Sequence, residues 1–382
     1  MLTAPRTVVR HAPGKLFVAG EYAVVEPGNP AILVAVDRHI TVTVSDLGPG
    51  VDPGSGSGEA AVVISTDLGS QTVPWCWHEG RLVVCRADAG GGARGALAHV
   101  VSAIETVAQL LSERGRPVPA MGVSISSRLH DNGRKYGLGS SGAVTVAAVA
   151  AVADFSGLEL SADERYRLAL LATAAIDPKA SGGDLAASTW GGWIAYRAPD
   201  RTFVLDLARR VGVDRALSAP WPGHSVRRLP PPDGLTLEVG WTGEPASTTA
   251  IVSDLHRKTW RGTASHQRFV ENTTGCVDAA TTALEAGDHQ SLLDQIRAAR
   301  KELARLDDEV GLGIFTTRLT RLCEAAEAVG GAAKPSGAGG GDCGIALLDA
   351  EASSNISQLR QRWATAGVLP LSIRPALEGI EE

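Results

Sequence analysis

Apolar residues along the first half of the chain fall into short runs of two kinds. Strand-like runs are predicted at TVVRHA (7–12), KLFVAG (15–20), AILVAV (31–36), HITVTVSD (39–46), AVVIST (61–66), RLVVCR (81–86) and GVSISS (122–127). Helical spacing covers 96–114, where Gly115 and Pro117 stop it. A second helix is predicted over 161–176, because Ser161 followed by Glu164 makes a capping box. GGWIAYR (191–197) reads as a further strand, and the Gly/Ser/Pro-rich stretch 50–60 as a mobile loop.

A proline-rich stretch without periodicity, 218–234, divides this half from the next. Beyond it the pattern predicts a strand at GLTLEVGWTG and four helices, over about 247–260, 266–285, 288–307 and 315–329. Strands at CGIALLD and VLPLSIR flank a last helix, SSNISQLRQRWATAG. The expected organisation is α+β in two domains, 1–220 and 221–382, and 382 residues suit two cores better than one.

Composition narrows the function classes. With 44% hydrophobic residues, 20% charged residues and a net charge of −6, the chain is globular and lacks the basic excess of a nucleic-acid or membrane-surface binder. The longest apolar run is too short to span a bilayer, and no basic segment precedes an apolar one at the N-terminus, so a cytoplasmic protein is expected. Five scattered cysteines without C-x-x-C, and nine histidines without H-E-x-x-H, predict reduced thiols and no structural zinc.

Chemistry concentrates in RKYGLGSSGAVTVAAVAAVADF, 134–155. Gly137-x-Gly139-x-x-Gly142 fits the dinucleotide-binding spacing, but GVSISS ends about nine residues upstream, and the acids at the required distance, Glu159 and Asp163, do not end a strand. No G-x-x-x-x-G-K-[ST] is present either. Phosphate still suits the loop. Its glycines let backbone N–H groups converge, it opens a helix, Ser140 and Ser141 add hydroxyls, and Arg134 and Lys135 add charge. Taken alone, the stretch reads equally well as a turn capping a buried helix.

Two further stretches tip that balance. HAPGKLFVAGEYAVVEPG (11–28) sets Lys15 and Glu21 among glycines, and KPSGAGGGDCGIAL (334–347) runs a second glycine loop into a strand. APGK, GLGSSGA and SGAGGGDCGIAL, in this order, resemble the three motifs of the GHMP small-molecule kinases over essentially the whole chain. The resemblance implies an N-terminal domain like ribosomal protein S5 domain 2, a C-terminal ferredoxin-like domain, and an active site between them. Tyr22 in GEYAVV stands where the mevalonate-phosphorylating members carry histidine. With GRKYGLGSSGA and GGDLAAS, it resembles the branch whose acceptor is 5-phosphomevalonate.

From that resemblance follow ATP and Mg²⁺ as cofactors, 5-phosphomevalonate as substrate, and roles for individual residues. Lys135 and the loop Gly137, Leu138, Gly139, Ser140, Ser141 and Gly142 should hold ATP, with Ser140 or Ser141 reaching Mg²⁺. Lys15 should meet the transferring phosphoryl group. Asp184, in a Ser-Gly-Gly-Asp turn, should organise Lys15 and the metal-bound phosphates, with base catalysis the lesser option. An acceptor phosphate with a second pKa of about 6 hardly needs a base.

Acceptor contacts are expected from Lys15, Glu21, Tyr22, Arg134, Lys179, Ser181, Ser247, Thr248, Gly339 and Gly340. Monomer and homodimer are both open. So are four rivals: a mevalonate or other GHMP alcohol kinase, a diphosphomevalonate-decarboxylase-like enzyme, a non-catalytic sensor of the same fold, and a nicotinamide oxidoreductase.

Overall fold

The computed structural model describes residues 6–47, 61–67, 72–85, 95, 97–131, 134–244, 251, 255 and 260–380. The expected loop at 50–60, most of the helix expected at 247–260, and Ser247 and Thr248 lie outside the described residues. The first ten strands are β1 (Thr7–Ala19), β2 (Pro30–Ser45), β3 (Val62–Thr66), β4 (Val73–His78), β5 (Arg81–Val84), β6 (Met121–Ser127), β7 (His130–Asp131), β8 (Arg134–Lys135), β9 (Trp193–Arg197) and β10 (Ser225–Leu229). Among them run helices α1 (Ala98–Glu113), α2 (Ser140–Phe155), α3 (Ala162–Ile176), α4 (Gly183–Trp190), α5 (Arg201–Val211) and α6 (Val213–Ser218).

Strands β1 and β2 form a long antiparallel hairpin, each uniting two of the expected runs. Between the two runs the register shifts: the consecutive Pro13 and Gly14 of β1 face His39 and Val36, so the extra residues, Asp37 and Arg38, lie on β2. One edge of β2 is covered by β1, and the other is shared between β9 and β6. The sheet grows to eight strands through β3, β4 and β5 on one side and β10 on the other. Helix α2 explains its own composition. It packs on β1 and β2 and is crossed by α1, α3 and α4, so Val and Ala fill nearly every position and all are small enough for close approach. The expected capping box is present, with the Ser161 hydroxyl accepting from the Glu164 amide and the Glu164 carboxylate accepting from the Ser161 amide.

One expectation is overturned. Cys76 on β4 and Cys85 just past β5 are joined by a disulfide across this hairpin, with Cα atoms 5.3 Å apart. The hydrophobic pattern did not single out β4, and without it the two cysteines look scattered. The observed register sets Trp75 opposite Val84, and the Cys85 amide donates to the Pro74 carbonyl, which brings Cys85 diagonally across from Cys76. Cys276, Cys323 and Cys343 are free and buried.

The remaining elements are β11 (Leu235–Trp241), α7 (Ala264–Ala286), α8 (His289–Val310), α9 (Thr317–Glu327), β12 (Ala332–Pro335), β13 (Cys343–Asp349), α10 (Ser353–Thr365) and β14 (Leu369–Leu371). Here four strands pair antiparallel in the order β12-β13-β11-β14. Since β10 pairs with β9 in the first sheet and β11 opens the second, we propose the division between the two units in the β10–β11 connection rather than at 220. The chain end then returns to the first unit, where the Ala376 amide donates to Ala35 and the Gly192 amide donates to Ala376.

Candidate active site

The three glycine motifs meet at one place. Next to this register shift the Lys15 amide points away from the β1–β2 ladder and donates to the Leu138 carbonyl at 2.8 Å, binding the first motif to the second. The Ser188 hydroxyl of α4 takes the neighbouring Pro13 carbonyl at 2.7 Å. Gly139, the residue before α2, is left-handed at φ 75°, and a Cβ there would stand 2.9 Å from Lys15 Cε. A Cβ on Gly142 would fall 2.5 Å from Asp184 Oδ2. Lys15 and Asp184 are therefore laid directly against the first turn of α2, and only glycine leaves room for them.

That turn has the makings of an anion site. No side chain caps α2, so its first N–H groups face the loop concavity beside the half-buried Ser140 and Ser141. Lys15 is buried, with its ammonium 5.2 Å from the centre of the Phe17 ring. Among the described residues, no carboxylate lies within 4.0 Å of its nitrogen. Arg134 and Lys135 stand exposed on β8, just ahead of the loop. His99 of α1 contacts the Thr145 hydroxyl of α2 at 3.4 Å. Burial, with the Lys135 charge adding to it, lowers the pKa of this imidazole against the opposing pull of Asp184 and Asp177, so it is neutral at pH 7.

Asp184 is placed by the backbone before it. The Ser-Gly-Gly-Asp segment, expected as a turn, is the start of α4, with Gly182 left-handed at its N-cap. The Tyr196 hydroxyl donates to the Ser181 carbonyl at 2.6 Å and accepts from the Tyr166 hydroxyl at 2.8 Å. Burial raises both phenol pKa values, so each keeps the proton that it donates. The sequence motifs single out neither tyrosine.

The third motif closes the site. Gly137 and Asp342 are in contact so close that a Cβ on the glycine would overlap the aspartate side chain. The Gly340 amide donates to Ile314 at 2.9 Å, and Gly339 packs on the same residue. Lys334, fully buried on β12, pairs with the buried Glu21 carboxylate and donates to the Pro335 carbonyl at 2.7 Å. The Tyr22 hydroxyl donates to the Ala338 carbonyl, and the Ser336 hydroxyl bridges the backbone of Phe17. Polar atoms of Glu21 and Tyr22, expected to contact the acceptor, are thus engaged in joining the β1–β2 hairpin to the third loop. Lys334 lies within the quoted motif, and a lysine bound for the interior needs a carboxylate, which Glu21 of the first motif supplies.

Breaking that joint has a measurable consequence. Glu21→Gln strands a lysine without an opposing charge, and denaturant unfolding should show a loss of about 3–5 kcal/mol. Adding Lys334→Met should restore most of it, and an unrestored double variant would show that the pair acts otherwise.

A half-buried glycine loop at a helix N-terminus, with a buried lysine and Asp184 laid against it and a second glycine loop from the other α+β unit closing over it, is the arrangement of a small-molecule kinase. The family model "GHMP kinases N terminal domain" matches residues 98–192, and "GHMP kinases C terminal" matches 280–365. The chain belongs to the GHMP kinase family. It is 77% identical, over 100% of both chains, to a phosphomevalonate kinase of Streptomyces sp. (strain CL190). Against the mevalonate kinase of Pyrococcus abyssi (strain GE5 / Orsay), identity is 28% over 98% of each chain. Among solved structures, Streptococcus pneumoniae phosphomevalonate kinase in complex with phosphomevalonate and AMPPNP superposes with a TM-score of 0.81 at 26% identity, covering 96% of this chain and 99% of that one.

Proposed function

We propose that this kinase transfers the γ-phosphoryl group of ATP to the phosphate of 5-phosphomevalonate, giving 5-diphosphomevalonate and ADP in isoprenoid precursor synthesis. The observation that carries the reading is the 77% full-length identity to a phosphomevalonate kinase, together with Lys15 and Asp184 packed on the first turn of α2. Phosphoryl transfer depends on position and charge neutralisation, and that is what these residues supply.

In this reading the N–H groups of Gly139, Ser140, Ser141 and Gly142 hold the phosphate oxygens of ATP. The Lys15 ammonium neutralises charge on the γ-phosphoryl as an acceptor oxygen bonds to its phosphorus and the bond to the bridging oxygen breaks. Asp184 keeps Lys15 in line, and Lys135 draws the polyphosphate toward the loop. The hydroxyls of Ser140 and Ser141 and the Asp184 carboxylate are hard oxygen donors that fit Mg²⁺, which when bound would neutralise the polyphosphate. Among the described residues no three His, Cys, Asp or Glu side chains converge, so most ligands of that ion would come from phosphate and water. No described helix is long and apolar enough to cross a membrane. The proposed compartment is the cytoplasm, where ATP is supplied.

The test is ADP release with mevalonate, 5-phosphomevalonate and 5-diphosphomevalonate in parallel, with CO₂ monitored. Turnover on 5-phosphomevalonate without CO₂ is the expected result. Turnover confined to mevalonate, or CO₂ release from 5-diphosphomevalonate, would overturn the reading.

A further inference from the structure

Helix α4 is only eight residues long, yet it carries two groups of the site. At its start Asp184 spends Oδ1 on the Leu185 amide at 3.0 Å, which leaves Oδ2 against the first turn of α2, 2.5 Å from where a Cβ on Gly142 would stand. A Cβ on Gly139 would lie 2.9 Å from Lys15 Cε and 3.5 Å from Asp184 Cβ, so the two side chains meet over that glycine. One turn further along α4, the Ser188 hydroxyl holds the Pro13 carbonyl, two residues before Lys15. The placing of this one helix therefore governs how Asp184 and Lys15 come together.

Local capping does not account for that placing. Gly182, the N-cap, has no side chain to offer, and the Ser181 hydroxyl takes the Gly183 amide at 3.3 Å. Upstream, Lys179 is exposed and its amide donates to the Asp177 carboxylate at 2.9 Å, outside the helix. The hold comes from two fully buried tyrosines of other elements, Tyr196 on β9 and Tyr166 on α3. Because the Tyr196 hydroxyl gives its proton to the Ser181 carbonyl, the Tyr166 hydroxyl is the donor between the two phenols, and the chain runs in one direction. A Cβ on Gly182 would stand 3.0 Å from the Tyr196 oxygen and 3.3 Å from that of Tyr166, so the glycine lets both approach the backbone. Tyr166 also meets the far end of α4, where its ring lies 5.2 Å from that of Trp190.

Phenylalanine at both positions would fill the same space without two hydroxyls to desolvate, so the polar atoms answer to the carbonyl that they hold. That carbonyl is three residues from Asp184. We propose that Tyr196 and Tyr166 are positioning residues for the phosphoryl transfer: their hydroxyl pair locks the backbone of Ser181, Gly182 and Gly183, and through it holds the Asp184 carboxylate beside Lys15. This rests on the reaction proposed above and on the organising role given there to Asp184.

Steady-state kinetics of Tyr196→Phe and Tyr166→Phe test it, each change made in the wild-type and in the Asp184→Asn background. In the wild-type background kcat should fall about 10-fold for Tyr196→Phe and about threefold for Tyr166→Phe, which leaves the Ser181 bond in place, while the KM for ATP holds. In the Asp184→Asn background neither change should lower kcat further, because the charge that they position is gone. An undiminished kcat in Tyr196→Phe, or the same fold-loss in both backgrounds, would overturn the proposal and leave the reaction standing. A role in stability alone gives that second result, with the loss following the thermal midpoint. If Tyr196→Phe does not fold, Tyr166→Phe carries the same cycle by itself. A wild type inert toward 5-phosphomevalonate would overturn both the reaction and the role of the pair.

Discussion

Replacing Lys15 by methionine is expected to lower kcat by a factor of about 10²–10³, the loss found when one preorganised donor to developing charge is removed. Methionine keeps the unbranched stem that packs against Gly139, so the change falls on the charge. Lys15 is buried and its amide is tied to Leu138, so the side chain is held at the first turn of α2. Steady-state rates at saturating ATP and acceptor give the measurement, with the thermal midpoint as a control. A variant retaining more than about a tenth of the wild-type kcat would remove Lys15 from the reacting centre.

The second large effect separates two roles for Asp184. Asp184→Asn keeps the shape that packs on Gly142 and should cost about 10²-fold in kcat, because Lys15 and the polyphosphate lose an organising charge. If Asp184 only organises, the defect stays flat above the acceptor's second pKa of about 6, where the nucleophile is already dianionic. A base would show differently. Its loss would be recovered tenfold per pH unit as hydroxide took over, and such a slope between pH 7 and 9 would assign Asp184 to proton transfer.

Much of this site was legible because glycine announces close approach. Gly139 and Gly142 marked a loop on which something must lie, and the structure supplies the side chains, Lys15 and Asp184. Periodicity located α1 and α8, the capping box located α3, and the apolar runs located both strands of the first hairpin. What stayed hidden is non-local. The disulfide depends on β4, a short strand with a proline and mixed burial. Helix α4 was masked by its two opening glycines, which read as a turn. Tyr166 and Tyr196 carry no motif, and only packing brings them to Ser181. Glu21 and Tyr22 were expected at the acceptor, and that they join the hairpin to Lys334 and Ala338 of the third loop could not be read from either motif alone.

The Glu21–Lys334 pair constrains how this sequence can drift. The two residues are 313 positions apart, in different units, and both are buried. Losing either alone leaves a naked charge in the interior, while losing both together leaves an apolar contact. Under mutation they behave as a single site. A lineage can leave that state only by two changes close together in time, or through a destabilised intermediate that other substitutions have made tolerable.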